Sequence, residues 1–279
     1  MDSSLSGRET GREPASPEER LVLDSVHYFR GEKRILEDIT WRVCQGEHWA
    51  ILGPNGSGKS TLVEIATGYI GASLGRVFLL EGWLSEIVLP EVRRRVGFVS
   101  ASFADHLLRW REHTTALEVV LSGRRALLGP VRQSSEAEKA EALVLLAQSG
   151  CAHLRDTPFF ILSSGERQAC LIARARMAQS ELLILDEPCA GLDPAARERT
   201  LAALEGACRN GRRVPQILIT HHPEEIVPGI SHVLLLREGK VVAQGPKEEI
   251  LTESLLGETF GIRLRLVREG ERVWAVPRL

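Results

Sequence analysis

The sequence has few of the features that mark a secreted, disulfide-bonded or nucleic-acid-binding protein. Its five cysteines are odd in number and scattered, and no two form a Cys-x-x-Cys pair, so we expect free or buried thiols in a cytosolic protein. Lys and Arg total 35 against 37 Asp and Glu, for a net charge of −2. This balance gives no overall attraction to nucleic acid or anionic lipid, and no direct nucleic-acid partner is expected.

Long hydrophobic runs are also missing. No stretch approaches the roughly 18 apolar residues of a membrane-spanning helix, so any membrane-spanning segment of the system is expected in another chain. With 43% hydrophobic and 26% charged residues, the composition is that of a globular protein rather than a disordered chain or a coiled coil. Residues 1–20 are rich in Ser, Gly, Glu and Pro and lack the pattern of a signal peptide; they are predicted to be a disordered extension.

The sequence does contain the strand and helix patterns of an α/β protein. Residues 21–30 and 35–43 are predicted to open the chain as antiparallel strands. Later apolar runs of four residues predict strands buried on both faces of a parallel sheet. These runs are 182–185, 217–220 and 233–236.

The predicted boundaries follow from these patterns. We expect a disordered extension over 1–20, a main domain over 21–261, and a small C-terminal extension over 262–279. Helix formers dominate residues 101–177, which predicts a helical subdomain inserted into the main domain. Near the end of the chain, 247–257 is predicted to be one helix and 262–276 a hairpin.

A phosphate-binding loop is the clearest chemical motif. Gly53-Pro54-Asn55-Gly56-Ser57-Gly58-Lys59-Ser60, followed by Thr61, matches Gly-x-x-x-x-Gly-Lys-Ser/Thr between a predicted strand and a predicted helix. Its glycines let backbone N–H groups turn towards an anion, and the start of the helix adds a positive end. Lys59 would hold the β and γ phosphates and the Ser60 hydroxyl would bind Mg²⁺. The alternative, an ordinary glycine-rich turn, does not need the complete motif.

Two further segments carry candidate site residues. The strand 182–185 ends in Asp186 and Glu187; Asp186 is placed to hold Mg²⁺, and Glu187 to act as a general base on the attacking water. Ser163 and Glu166 fit a capping box, which predicts a well-capped helix. The same helix start is also a candidate second phosphate site, one that would serve the nucleotide of a second copy.

With these motifs, the chain resembles the ATP-binding subunit of ATP-binding cassette (ABC) systems over residues 21–261. The resemblance rests on five motifs in the family's order. They are the Walker A loop at 53–61, a signature at 162–168, the Walker B strand at 182–187, a D-loop at 190–193, and a switch histidine, His221. It implies a P-loop NTPase core with a mostly parallel sheet, an N-terminal antiparallel β subdomain, an inserted helical subdomain, and Mg²⁺-dependent ATP hydrolysis.

The resemblance also implies a head-to-tail pair of cassettes with two ATP molecules between them. Ser163 and Gly165 would touch the γ-phosphate on the partner's Walker A loop, and His221 would hold the catalytic water with Glu187. Tyr28 and Phe29 both lie near the place of the family's adenine-stacking aromatic residue, with Phe29 slightly favoured. The expected set is catalytic Lys59, Glu187 and His221; metal-binding Ser60 and Asp186; and nucleotide-binding Phe29 or Tyr28, Gly53, Pro54, Asn55, Gly56, Ser57, Gly58, Lys59, Ser60, Thr61, Ser163, Gly165 and Glu166.

This sequence departs from the family at two places. Where the family usually has the Q-loop glutamine, the run is Ser100-Ala101-Ser102-Phe103, which puts the strength of coupling to a membrane partner in doubt. In the signature, Ser164 replaces a glycine and Glu166 a glutamine. A carboxylate near a triphosphate is expected to weaken the closed dimer unless Arg167 or a proton offsets it.

The resulting functional hypothesis is a transporter ATPase on the cytoplasmic face of the membrane, driving a separate membrane-spanning permease. The tail 241–252 is similar to importer ATPases for metal chelates. The alternative is a soluble ABC ATPase of cofactor assembly, translation or DNA repair. Translation types carry two cassettes and a basic linker and repair types a long coiled coil, and this chain has neither. A third possibility is a cassette that binds ATP only to regulate, but Lys59, Asp186 and Glu187 are all present.

Overall fold

The computed structural model describes residues 16, 18–100, 114–125, 133–178, 180–209 and 214–278. The predicted N-terminal extension, residues 1–20, therefore lies mostly outside the described residues. The first strand begins at Glu19, two residues before the predicted start, because Glu19 is buried and pairs with Cys44.

A four-stranded antiparallel sheet forms the N-terminal part of the fold, in the order β2-β1-β4-β5. Its strands are β1 (Glu19–Arg30), β2 (Lys33–Cys44), β4 (Leu74–Leu79) and β5 (Gly82–Trp83). Alternation of apolar and polar residues along β2 buries Ile39, Trp41 and Val43 on one face, as a strand with one solvated face requires. The antiparallel strands predicted at the start of the chain are therefore present.

A six-stranded sheet, in the order β10-β9-β3-β8-β7-β6, forms the centre of the molecule. Its strands are β3 (His48–Leu52), β6 (Val96–Val99), β7 (Leu182–Asp186), β8 (Gln216–Thr220), β9 (His232–Arg237) and β10 (Lys240–Pro246). All pairs are parallel except that of β10 with β9. Every residue of β3 and β8 is buried, which explains their continuous apolar runs at 49–52 and 217–219.

Helices cover both faces of this sheet, as an α/β fold requires. They are α1 (Lys59–Ala66), α2 (Leu89–Arg93), α3 (Ala116–Ser122), α4 (Glu136–Gln148), α5 (Ser164–Met177), α6 (Pro194–Arg209), α7 (Lys247–Ile250) and α8 (Glu253–Phe260). Successive residues of β3 face two separate cores: Ala50 and Leu52 face the helical side, and Trp49 and Ile51 face α1 and the antiparallel sheet.

Capping explains where several helices begin. Thr115, Ser135 and Ser163 precede α3, α4 and α5, and each forms a reciprocal capping box with the glutamate three positions later. These helices lie within the predicted insertion, of which residues 101–113 and 126–132 lie outside the described residues. The prediction of one helix over 247–257 is wrong, because Thr252 is extended and caps a second helix, α8, with its side chain.

The C-terminal residues form a separate hairpin of β11 (Leu264–Glu269) and β12 (Arg272–Pro277). Gly270, with φ of 59°, lies in its turn. Leu264 and Val273 anchor the hairpin in the core on the helical side. Across the described part of the chain, no helix combines the length and the apolar character needed to cross a bilayer.

Candidate active site

Three loops meet at one edge of the central sheet. Strands β3, β8 and β7 are neighbours and run parallel, so the segments that follow them emerge side by side. These are the phosphate loop after β3, His221 after β8, and the pair Asp186–Glu187 at the end of β7. The carboxyl edge of a parallel sheet is the usual place for a ligand site in such folds.

The phosphate loop is held in its shape by glycine. Gly56 and Gly58 have φ of 78° and 104°, a region that side chains with a Cβ rarely adopt. A Cβ on Gly58 would also lie 2.8 Å from Cδ2 of Leu36. The loop is tied to the turn after β9 by the N–H of Gly239, which donates to the Ser57 carbonyl at 2.9 Å.

The start of α1 fits an anionic group. Gly58 precedes the helix in a left-handed conformation and offers no side-chain cap, whereas side chains cap α3, α4, α5 and α8. Its first N–H groups and helix dipole are therefore left for another acceptor. The buried Ser57 hydroxyl also lacks a hydrogen-bond partner among the described residues. Both features match a bound phosphate chain.

Lys59 is buried at the centre of the loop. Its Nζ donates to the carbonyls of Gly53 at 2.9 Å and Pro54 at 3.0 Å. Burial lowers the pKa of Lys59, while the nearby Glu187 and Asp186 oppose that shift. Asn55 at the loop tip is exposed, and Thr61 is half-buried in the first turn of α1. The Lys59 ammonium is thus held against the carbonyls of its own loop.

Ser60 and Asp186 form a pair of oxygen ligands. The Ser60 hydroxyl lies 3.5 Å from Oδ1 of Asp186. Burial raises the pKa of Asp186, which the hydrogen bond from Ser60 partly counteracts. A buried carboxylate beside a hydroxyl is stabilised by a hard divalent cation, and Mg²⁺ prefers such oxygen donors. The donor set therefore fits Mg²⁺ held together with phosphate oxygens.

Glu187 is the residue on which the site converges. Its Oε1 lies 3.2 Å from Nδ1 of His221 and 4.0 Å from Nζ of Lys59. Its backbone has φ of 48° and is held by its own N–H, which donates to the Ile219 carbonyl at 2.9 Å. A non-glycine residue in this region costs about 1–3 kcal/mol. This strained backbone directs the Glu187 carboxylate at Lys59 and His221.

The two candidate adenine contacts differ in exposure. Tyr28 packs against the core beneath the antiparallel sheet, whereas Phe29 is 40% exposed. The N–H of Phe29 donates to the Ser73 hydroxyl at 3.0 Å, which fixes the backbone there. Of the two aromatic rings, Phe29 is the one available for stacking.

The signature residues lie at the start of α5 and are engaged with one another. The Ser163 hydroxyl donates to Oε2 of Glu166 at 2.8 Å, and the Ser163 N–H donates to the same oxygen at 2.7 Å. These hydrogen bonds hold the pKa of Glu166 below its ordinary value. Gly165 lies against Ala196 of α6, where an added Cβ would approach Cβ of Ala196 to 2.7 Å. Within the described residues, no hydrogen bond of Ser163 or Glu166 reaches the phosphate loop.

The structure adds residues that the motifs did not indicate. Buried Glu225 accepts a hydrogen bond from the Thr220 hydroxyl, and Thr220 accepts one from the His222 N–H at 3.0 Å. Arg197 of α6 lies 3.2 Å from the Glu225 carboxylate. The acidic pair after the two histidines was the only local signal for this network. At the expected Q-loop position, Ser100 is buried, and 101–103 lie outside the described residues.

Comparison with known proteins identifies the family of this chain. Residues 36–190 match the family model described as ABC transporter. An uncharacterized ABC transporter ATP-binding protein of Lactococcus lactis, YmeB, is 35% identical, over 92% of this chain and 98% of that protein. The cobalt import ATP-binding protein CbiO of Rhodobacter capsulatus is 37% identical, over 88% of this chain and 86% of that protein.

Solved structures agree as well. The structure of CbiO1 from Clostridium perfringens, part of the ABC transporter complex CbiONQ, superimposes with a TM-score of 0.71 at 26% identity, covering 86% of this chain and 94% of that one. These matches give no support to a soluble ABC ATPase of assembly, translation or repair. The chain belongs to the ABC transporter family, as an ATP-binding and ATP-hydrolysing subunit.

Proposed function

We propose that two copies of this chain close head-to-tail around two ATP molecules and drive a separate membrane-spanning permease, from the cytoplasmic face of the membrane. The observation that carries this proposal is the division of the site. Lys59, Glu187 and His221 meet within one chain. Ser163 and Glu166 lie at a different helix start, and in the described part of the chain no hydrogen bond joins them to these three residues. A second copy supplies the missing half.

Each residue has a distinct task in hydrolysis. The backbone N–H groups of 53–61 and the Lys59 ammonium bind the ATP phosphates, and Phe29 stacks on the adenine. Ser60 and Asp186 hold Mg²⁺, which neutralises phosphate charge when bound. Glu187 accepts a proton from the attacking water, and the His221 ring beside it orients that water towards the γ-phosphate.

The signature completes the site from the partner copy. Ser163 and the α5 N-terminus, next to Gly165, direct a hydroxyl and N–H groups at the partner's γ-phosphate. The Ser163 hydroxyl must then exchange its hydrogen bond to Glu166 for one to phosphate. Glu166 places a carboxylate at the rim of the closed site, so this chain should close less tightly than one with glutamine there.

Two comparisons support a transport role with a separate permease. The Rhodobacter capsulatus relative is named for cobalt import, and the Clostridium perfringens structure is of one component of a larger transporter complex. This chain carries one family match, over 36–190. An importer-type system with two copies of the cassette accounts for all three observations.

The test of this proposal is the E187Q variant. It should bind Mg·ATP and dimerise, while hydrolysis falls at least about 10²-fold through loss of the general base. K59A is the complementary control, with no detectable nucleotide binding. Sedimentation with ATP measures dimerisation, and phosphate release measures hydrolysis. Hydrolysis by E187Q at the wild-type rate, or ATP binding by K59A, would remove these residues from their roles.

The permease is tested by capture. E187Q held closed by ATP should recover a stoichiometric multi-span membrane protein from detergent-solubilised cells of the source organism. Recovery of ribosomes or only soluble partners would contradict the transport role. K59A run in parallel shows which partners require nucleotide.

A further inference from the structure

One side chain of the C-terminal hairpin, that of Arg272, hydrogen-bonds to the segment that follows the switch histidine. Nε and Nη2 of Arg272 donate to the backbone carbonyl of Glu224 at 3.1 and 2.7 Å. Nη1 of the same guanidinium donates to Oε2 of Glu198 on α6 at 2.7 Å. Arg272 therefore spans the gap between the hairpin, the short 3-10 helix Pro223–Glu225 and α6.

The contacted segment continues directly from His221. Oε1 of Glu224 lies 3.0 Å from Nη2 of Arg197 and 3.3 Å from Nδ1 of His222. The next residue, Glu225, is bound by Arg197 and by the Thr220 hydroxyl. The residues on both sides of His221 are thus held by side-chain contacts to Glu224 and Glu225. The hydrogen bond from buried Thr220 to the buried Glu225 carboxylate is charge-assisted and therefore stronger than one between neutral groups. A shift of the Glu224 carbonyl would be passed to His221 along this short, tied backbone.

The same network reaches the D-loop. Arg197 lies one turn into α6, and its N–H donates to the Asp193 carbonyl at 2.9 Å. Glu198, the other contact of Arg272, is its neighbour on α6. Arg272 thereby joins the two segments that flank Glu187, one following the Walker B strand and one carrying His221.

We propose that Arg272 is a positioning residue for ATP hydrolysis: it ties the C-terminal hairpin to the Glu224 carbonyl and so holds His221 at Glu187. This inference rests on the proposed roles of Glu187 and His221. The planar guanidinium of Arg272 is suited to this role because it donates two hydrogen bonds to the Glu224 carbonyl and one to the Glu198 carboxylate. Misplacing a catalytic group by a fraction of an ångström lowers turnover with little effect on substrate binding.

The hairpin has other attachments, so removing Arg272 should not detach it. Leu264 and Val273 are buried in the core. The Leu266 N–H donates to Oε1 of Glu253 at 2.9 Å, and Arg268 donates to the Leu251 carbonyl at 3.2 Å. The matched control is Arg265, an exposed arginine on β11 of the same hairpin.

The experiment compares steady-state ATP hydrolysis by the full-length R272A and R265A variants as a function of ATP concentration. R272A should lose about tenfold in kcat, with KM and the affinity for a fluorescent ATP analogue within about twofold of wild type. R265A should match wild type. R272K should recover part of kcat, because one ammonium replaces only one of the two hydrogen bonds to the Glu224 carbonyl.

E198Q provides a second variant that does not depend on the folding of R272A. It alters only the α6 contact of an exposed carboxylate, and should lower kcat by about two- to threefold with KM unchanged. Turnover by R272A equal to that of R265A would overturn the inference. So would a parallel loss of kcat and ATP affinity in R272A, or an E198Q variant identical to wild type if R272A does not fold. Failure of the proposed function is separate, since it would show as wild-type activity in E187Q.

Discussion

The two halves of the proposed ATP site, the phosphate loop and the signature at the start of α5, differ in how their polar groups are hydrogen-bonded without nucleotide. On the phosphate-loop side, the α1 N-terminus is uncapped, the Ser57 hydroxyl has no partner within the described residues, and Lys59 turns back onto loop carbonyls. On the signature side, Ser163 and Glu166 form a reciprocal capping box at the start of their helix. The phosphate-loop side therefore has donors available for an anion. On the signature side, the Glu166 carboxylate accepts the hydrogen bonds of Ser163.

From this difference we expect the two halves to respond differently to ATP. On the phosphate-loop side, the uncapped N–H groups of α1 and the Ser57 hydroxyl gain hydrogen bonds when phosphate binds, which favours binding by a single chain. The signature must give up the hydrogen bond from Ser163 to Glu166 before it contacts phosphate. We therefore expect closure of the proposed dimer to be the weaker and more easily reversed step.

Among the variants that test this comparison of the two halves, the largest effect is expected from removing the Ser163 hydroxyl. S163A should lower ATP turnover by at least about tenfold, since a hydrogen bond to a charged group contributes about 1.5–3 kcal/mol, while ATP binding by the phosphate loop persists. It should also cost about 1 kcal/mol of stability through the lost helix cap.

The matched control for S163A is S135A. Ser135 and Glu138 form the same capping box at the start of α4, so S135A loses a similar cap. Phosphate-release assays and thermal unfolding of both variants separate the two effects. Equal turnover of the two variants would show that Ser163 is only a helix cap.

An intermediate effect is expected at the adenine contact. F29A should weaken ATP binding by about fivefold, corresponding to about 1 kcal/mol of stacking, without a change in unfolding temperature. Y28A should instead lower the unfolding temperature, because the Tyr28 ring packs against the core. Titration with a fluorescent ATP analogue and a thermal melt of each variant check this. The reverse pattern would exchange the roles of the two rings.

The smallest effect is expected at Glu166. E166Q should tighten ATP-dependent dimerisation in the E187Q background by about two- to fivefold, which corresponds to about 0.5–1 kcal/mol for an exposed charge. Because hydrogen bonds from Ser163 hold the pKa of Glu166 low, wild-type Glu166 stays charged at neutral pH. The difference between the variants should therefore hold there and disappear only at acid pH, as Glu166 is protonated.

The matched control for E166Q is E138Q, which changes the equivalent carboxylate of the α4 capping box. It should leave dimerisation unchanged. Sedimentation over a range of ATP concentrations measures the effect. Weaker dimerisation by E166Q would contradict a repulsive role for this carboxylate.

Local patterns predicted most of the secondary structure. The continuous apolar runs ending at Leu185, Thr220 and Leu236 each belong to a parallel strand. Burial on both faces requires apolar residues at successive positions, so such strands are easy to predict. The helix predicted over 247–257 was wrong because its composition favours helix throughout, while the extended backbone at Thr252 is set by its own capping hydrogen bond. Composition does not distinguish one continuous helix from two helices separated by an extended capping residue.

The phosphate loop could be read from the sequence because its chemistry depends on consecutive residues. The glycines, Lys59 and Ser60 act through a backbone shape that these residues themselves require, at φ of 78° and 104° for Gly56 and Gly58. The capping box of Ser163 and Glu166 is local in the same way. For these features, sequence neighbours are also spatial neighbours.

Contacts between distant parts of the chain were decided by the tertiary structure. The strand order β3-β8-β7 brings His221 to 3.2 Å from Glu187, and the packing of the hairpin brings Arg272 to Glu224. Exposure alone separates Phe29 from Tyr28. Periodicity and motif spacing report which face of an element is buried and which residues are neighbours in the chain. They carry no information on which elements lie side by side, because that depends on how all the buried faces pack together at once.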